Sequence, residues 1–365
     1  DTLSKAGIKN WICGSMNAKF KEGFNGYFLP DPWSNGVIPF PEEKLSNYFD
    51  FVQKSVQGHS NKSGVSSSKF LSFMLGNGLS VGTILKICKQ VLSEKLLKKP
   101  NWKRATILDE LQFDVFKHYY LKEKPEFATF FSNSTAHFQH HYWKDMDPEV
   151  FGENLENVNP DQKDAILTGY KNMDEMLGRI VKLADDDTII VFVTALSQKP
   201  YLKDKRHYYH ITSEKDMKQK LELKQDYKYK PVMAEQFHLE CKNEEDAIAL
   251  HTRLEQFHMD GDEYFHVGSK QVFLVSRDGN QVFAQCRCSK EAKQNATFID
   301  TSTGQSQPFY DLFYHMDGEK TGMHDPLGML WLLDKSKTPQ TFPTPVPLES
   351  IKQMVMDNFE LTSQE

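Results

Sequence analysis

The sequence predicts an α/β fold: a mainly parallel sheet flanked by helices, with a small α+β unit inserted late in the chain. Three observations carry this expectation. Residues 159–184 read as one strong helix, opened by Asn159 and Pro160 and held in phase by Ile166, Tyr170, Met173, Leu177, Ile180 and Ala184. The almost unbroken apolar run 188–193 follows it, as a strand buried on both faces of a parallel sheet would. Residues 234–288 then give strand, helix and alternating strands, the last two turned at Asp278-Gly279, which is the pattern of a compact α+β unit. The expected organisation is a core of residues 1–198 and 320–365, incomplete at its N-terminus, with residues 199–319 inserted.

The elements follow in order. Residues 1–9 begin inside a helical pattern with no methionine or cap before it, so the natural N-terminus is expected further upstream. Residues 10–13 read as a short strand, and 14–34 as a loop rich in Gly, Asn, Pro and aromatic residues, of the kind that carries function. A helix opens at Pro41 and two glutamates and runs to residue 56, and 58–68 is a flexible linker by composition. Helical spacing covers 71–97 and 104–120, the second with Ile107, Leu111, Val115 and Tyr119 as its stripe. Residues 127–131 form a short apolar strand, after which Asn133, Ser134 and Thr135 offer caps for a helix carrying His137, His140, His141 and Trp143. Residues 198–229 are highly charged and read as a surface excursion. Strands are expected at 234–241, 263–267, 271–277 and 281–288, with a helix over 244–258. The chain returns through His324 to the apolar run 328–333, a Pro-rich stretch at 338–347 and a last helix at 348–359.

Composition narrows the function. With 365 residues the chain is too long for a small scaffold, and 44 Lys+Arg against 50 Asp+Glu leaves a net charge of -6, which offers no basic field for nucleic acid. No apolar run approaches the roughly 18 residues that a membrane span needs. The 5 cysteines are odd in number and scattered, which fits a reducing, cytoplasmic compartment, and Cys286 and Cys288 fall on one face of a strand as core thiols. No G-x-G-x-x-G, P-loop, G-x-S-x-G, H-E-x-x-H or paired C-x-x-C occurs, so nothing supports a nucleotide cofactor.

The candidate chemistry is carried by histidines. His137, His140 and His141 share one helical face, the geometry by which a helix offers two metal ligands; surface or capping histidines bonded to backbone satisfy the same spacing. His324, in the Gly-flanked segment 322–328, is either a ligand at the end of a sheet or an ordinary turn histidine. Asp31, between Pro30 and Pro32, is a candidate substrate contact or a turn-stabilising carboxylate. Asn17, with Ser15, could donate to an anionic substrate or cap its own loop.

Three segments resemble the alkaline phosphatase superfamily, in its type I phosphodiesterase/nucleotide pyrophosphatase branch. Residues 139–143, Gln-His-His-Tyr-Trp, look like the motif that places a metal-ligand His ahead of an aromatic pair. Tyr170, Asp174 and Gly178 with the run 188–193 look like the helix and strand that deliver an Asp-His-Gly metal motif, and 322–328 looks like the late His loop. The resemblance covers residues 1–200 and 320–365. This sequence departs from the pattern at Ala136, where the family has a ligand Asp, and at Ala195, Leu196 and Ser197, where it has Asp-His-Gly. The family's nucleophilic Thr or Ser and first metal Asp would lie before residue 1.

The resemblance implies a divergent phosphodiesterase/sulfatase-like hydrolase or transferase acting on a phosphate or sulfate ester, small or glycan-like. It implies at most one divalent metal ion, Zn or Mn, held by His140 and His324 with His137 as a substitute, since two-metal chemistry needs the missing ligands. Ser197, where the family's ligands project, joins Asp31 and Asn17 as a substrate-binding candidate, and the remaining groups would come from a separate N-terminal segment of the same protein. The alternative is a non-catalytic descendant that serves as a ligand-binding or interaction module.

Overall fold

The computed structural model describes residues 1–361 apart from 35, 58–66, 153–157, 203–205, 233–234, 260, 266–268, 317–319, 339–340 and 343. The chain opens with α1 (Thr2–Lys5), β1 (Asn10–Cys13) and β2 (Gly26–Leu29). Four helices follow, α2 (Glu42–Gln57), α3 (Ser67–Gly76), α4 (Val81–Leu97) and α5 (Arg104–Glu123), before β3 (Phe127–Phe130). Next come α6 (Ser134–Met146), α7 (Ala165–Leu183), β4 (Ile190–Thr194), β5 (Ser197–Pro200) and β6 (Tyr209–Ile211). A mixed region holds α8 (Glu214–Lys220), β7 (Tyr227–Pro231), β8 (Gln236–Cys241), α9 (Glu244–Glu255), β9 (Phe257–Met259), β10 (Phe273–Asp278) and β11 (Gln281–Cys286). It continues through β12 (Thr297–Asp300), β13 (Ser306–Pro308) and β14 (Phe313–His315). The chain ends with β15 (Gly322–Asp325), β16 (Met329–Leu333) and α10 (Ser350–Asn358). No helix among the described residues is long and apolar enough to cross a membrane.

The fold is mixed α/β, as expected, but most strand pairs are antiparallel. Parallel pairing among the described residues is confined to one three-stranded sheet, in the order β2-β1-β3. Trp11 anchors this sheet: its ring packs against Tyr27, Phe116 and Tyr119, and its indole N–H donates to the Phe116 carbonyl at 3.0 Å. Helices α2, α3, α5 and α7 close over it with Leu45, Phe49, Met74, Val115 and Met176, all buried.

Three expectations are corrected. The run 188–193 was expected to be a strand buried on both faces of a parallel sheet. Instead β4 pairs antiparallel with β16, its one strand partner among the described residues, Trp331 against Phe192; β4 is half buried and β16 mostly exposed. The helix expected over 71–97 is two helices: Gly78 takes φ +95°, a left-handed conformation that glycine adopts without strain, and the Ser80 hydroxyl then accepts the Thr83 N–H to cap α4. The strand expected at 263–267 is a helical turn at Asp262–Tyr264, and 266–268 lie outside the described residues. Residues 198–229, read as a surface excursion, also supply β5, β6, α8 and part of β7. The linker expected at 58–68 falls outside the description up to residue 66, and Ser67 and Ser68 already belong to α3.

A second core runs from Tyr209 to Phe313. Its sheet has the order β10-β11-β8-β7, with the β10–β11 hairpin turned at Gly279 and Asn280. Helix α9 lies on that sheet through Ala247, Leu250 and Leu254, all fully buried. Cys286 and Cys288 sit in this core as free thiols, their pKa values pushed up by burial.

Candidate functional site

The site forms where α6, β5 and β15 meet. Helix α6 starts because a carboxylate from another helix caps it. Buried Asp109, on α5, accepts from the Ser132 hydroxyl at 2.5 Å and from the Asn133 and Ser134 amides at 3.3 and 3.2 Å. Asn133, expected to cap, makes no side-chain cap bond. Burial raises the Asp109 pKa, and these hydrogen bonds partly offset the rise.

Helix α6 is broken at Tyr142 (φ -122°, ψ 18°), and the cause is Thr321, a buried residue just before β15. Its N–H donates to the His140 carbonyl at 2.7 Å, and its hydroxyl accepts from the Trp143 and Lys144 amides at 2.9 and 3.3 Å. A side chain inserted in the helical ladder kinks the helix there. The next residue must be glycine, since a Cβ on Gly322 would lie 2.1 Å from the Gln139 carbonyl oxygen. Thr321 and Gly322 thus clamp the late strand onto the histidine helix.

The clamp brings His140 and His324 together, their ring centroids 4.9 Å apart and nearly edge-to-face. His140 Nδ1 lies 2.8 Å from the Gly322 carbonyl oxygen. A carbonyl can only accept, so Nδ1 carries the proton and Nε2 of the neutral ring is left as a base or ligand. Burial holds the His140 pKa below the usual histidine value; the Gly322 carbonyl opposes this, and His324 and Lys320 reinforce it. His137 is also held low, first by burial and then by His140. Its ring faces His141, at 4.8 Å, rather than the His140–His324 pair.

Strand β5 completes this wall, pairing with β15 so that Gln198 stands opposite His324 and Ser197 opposite Asp325. Gln198 donates to the Ala136 carbonyl at 3.0 Å, and its own amide oxygen is buried without a hydrogen-bond partner. The Thr135 hydroxyl is buried and unpartnered in the same wall. Asp325 is held as a carboxylate, its pKa lowered first by its hydrogen bond from Lys199, an ion pair of 2.8 Å.

His137, His140, Gln198, Lys320, Thr321 and His324 line one large cleft of about 3310 Å³, as do Ser197, Ser15 and Thr129. Asp31 and Asn17 are placed elsewhere. Asp31 is buried, and its oxygens accept from the Asn17 and Trp33 amides at 3.0 Å each and from the Ser34 hydroxyl at 2.5 Å, so it holds its turn together. Asn17 serves the same turn through its backbone, in a left-handed conformation at φ 54°.

The donor set was compared with what a divalent metal requires. Among the described residues no three His, Cys, Asp or Glu groups are placed to hold a metal ion. Catalytic zinc takes three protein ligands, whereas this site offers two imidazoles beside the Lys320 ammonium. Ala136 and Leu196 supply no ligand atoms where the resemblance expects them. The described residues alone do not fit a metal centre.

Sequence reasoning missed Thr321, Lys320 and Asp109. The Gly322 spacing after a threonine was the only local sign of the clamp. No family model, curated protein or solved structure matches the chain.

Proposed function

We propose that the chain is a divergent relative of the alkaline phosphatase superfamily whose cleft binds a phosphate or sulfate ester between His140, His324 and Lys320. One observation carries this reading. Two segments that resemble separate family motifs, 139–143 and 322–328, meet at one wall of the cleft, with the His140 and His324 rings 4.9 Å apart, and Ser197 and Gln198, where the family's ligands project, pair beside them. The chemistry of that wall suits an oxyanion: the Lys320 side chain stands near His140, and the His140 ring adds a donor once protonated. Binding without metal-assisted turnover is the reading favoured by the two-imidazole donor set.

A second reading, hydrolysis, is favoured by His140 itself. Its Nδ1–H is fixed by Gly322 and its low pKa keeps Nε2 unprotonated at neutral pH, which is the state of a general base. In that case the nucleophile or its activating group comes from outside the described residues.

Titration with 4-nitrophenyl phosphate and 4-nitrophenyl sulfate tests both readings, with the His140 and His324 ring resonances followed by NMR and 4-nitrophenolate release followed by absorbance. Binding predicts that both rings shift together and that H140A or H324A weakens affinity about tenfold, the loss of one charge-assisted hydrogen bond. Release of product that disappears in H140A selects the hydrolytic reading. If neither ester moves either ring, the ester-binding assignment is wrong.

A further inference from the structure

We infer that the cleft holds a second polar seat, at Glu235, which takes a primary ammonium group carried on the alcohol part of the bound ester. The inference rests on the ester reading for its anionic half, since both seats lie in one cleft. Strand β8 alternates: Phe237, Leu239 and Cys241 are buried in the second core, and Gln236, His238 and Glu240 turn the other way. Glu235 directly precedes β8 and continues the row of Phe237, so a carboxylate stands where the pattern calls for an apolar side chain. There the core opens on the cleft, which Glu235 lines together with Tyr208 and Tyr314. The two tyrosines share one face of the β6–β14 ribbon. Tyr314 stands opposite His210, and the Tyr208 carbonyl accepts the Met316 amide at 2.9 Å, while Tyr209, Ile211 and Phe313 are buried on the other face. Burial raises the Tyr208 pKa and the Glu235 charge raises it further, which places the carboxylate beside that ring.

The chemistry of the seat identifies its occupant. The Glu235 Oε2 and the Tyr314 hydroxyl are both buried, and neither has a hydrogen-bond partner among the described residues. A buried carboxylate oxygen left bare is costly, and a donor that carries positive charge satisfies it best. The tyrosine rings favour the same charge, because the face of an aromatic ring attracts a cation; Lys320 already holds its ammonium 4.7 Å from the centre of the Tyr208 ring. A quaternary ammonium has no N–H to offer, whereas a primary ammonium donates to both oxygens at once. Calcium would need about six to eight oxygen ligands, far more than one carboxylate and one hydroxyl. Lys320 also joins the two seats, since its charge acts on His140 as well as standing over Tyr208. A short zwitterionic ester therefore lies along this lysine, its oxyanion at His140 and its ammonium at Glu235.

Isothermal titration of the full chain at neutral pH, with 2-aminoethyl phosphate, ethyl phosphate and phosphocholine, tests this without any variant. The 2-aminoethyl ester should bind about tenfold or more tightly than ethyl phosphate, the worth of one buried charge-assisted hydrogen bond. Glu235→Gln keeps the shape of the side chain and removes its charge, so it should erase that advantage. Three results overturn the proposal: equal affinity for the 2-aminoethyl and ethyl esters, an advantage that survives in E235Q, or phosphocholine binding as tightly as 2-aminoethyl phosphate. Ethylammonium chloride, against matched potassium chloride, separates this proposal from the ester reading, with the Tyr208 and Tyr314 ring resonances followed by NMR. A shift that E235Q abolishes supports the ammonium seat even where ethyl phosphate does not bind, and in that case the ester reading alone falls. No shift in the native chain overturns the seat, and a shift that emerges only in K320A shows that the Lys320 ammonium itself fills it.

Discussion

Replacing Thr321 by valine tests whether this one hydroxyl holds the histidine wall together. The substitution keeps the shape of the side chain and the backbone donation to His140, and removes only the acceptor for the Trp143 and Lys144 amides. One of those bonds is short, at 2.9 Å, and the other is long, at 3.3 Å. Stranding a buried amide costs about 1–3 kcal/mol, and the longer bond falls at the bottom of that range, so the local cost is about 2–3 kcal/mol. Exchange of the Trp143 and Lys144 amides should then accelerate roughly thirtyfold or more, since opening free energy sets the exchange rate. Loosening the clamp also frees the Gly322 carbonyl from His140, so the His140 Nδ1–H resonance should broaden or vanish. Unchanged exchange, within about threefold, with an intact His140 signal would mean that the helix kinks for some other reason and that Thr321 is a bystander.

Three further outcomes follow from the same geometry. Because burial raises the Asp109 pKa, the group favours folding most in its protonated form: its contribution is full below its unfolded value and declines as pH rises through the folded one. The thermal stability of the native chain relative to D109N should therefore be greatest near about pH 4 and shrink toward about pH 7, as read by differential scanning fluorimetry; a widening gap would contradict the burial argument. Ester affinity should rise as pH falls below about 6.5, since His140 is held neutral until then and an anion favours its charged form; isothermal titration at stepped pH checks it, and a flat profile would exclude imidazolium from binding. Elemental mass spectrometry after incubation with Zn²⁺ or Mn²⁺ should find no ion held stoichiometrically by the chain, and one ion per chain lost in both H140A and H324A would restore the metal centre that the resemblance implies.

What the sequence makes legible here depends on whether the cause is local. Helix α2 was readable from Pro41 and two glutamates, and α7 from its apolar spacing, although 159–164 forms turns before the helix proper begins at Ala165. The break between α3 and α4 is written in Asn77, Gly78 and Ser80, but the apolar residues on either side hide it from a periodicity argument. Asp109 and Thr321 are different. Asp109 caps a helix 25 residues away, and Thr321 kinks one 178 residues away, so neither role leaves a pattern near its own position. The histidines show the same division. Helical spacing puts His137 and His140 on one face, whereas the structure turns His137 toward His141 and gives His140 its partner from β15. That pairing was visible in sequence only through the order of motifs in the family it resembles.

The sharpest disagreement concerns residues 188–193, and it bears on function. An apolar run without alternation is selected by burial on both faces, because each exposed Val, Ile or Phe forfeits about 1.5–3 kcal/mol of transfer free energy. Among the described residues β4 has one neighbour, antiparallel β16, and it lies along the cleft. Read as a defect of the sequence argument, this would make residues 188–193 a strand whose composition serves nothing. What burial this composition finds comes from β16, through Trp331 stacked on Phe192, and from the cleft that residues 188–194 line, so the run serves the wall of the cleft rather than the interior of a sheet.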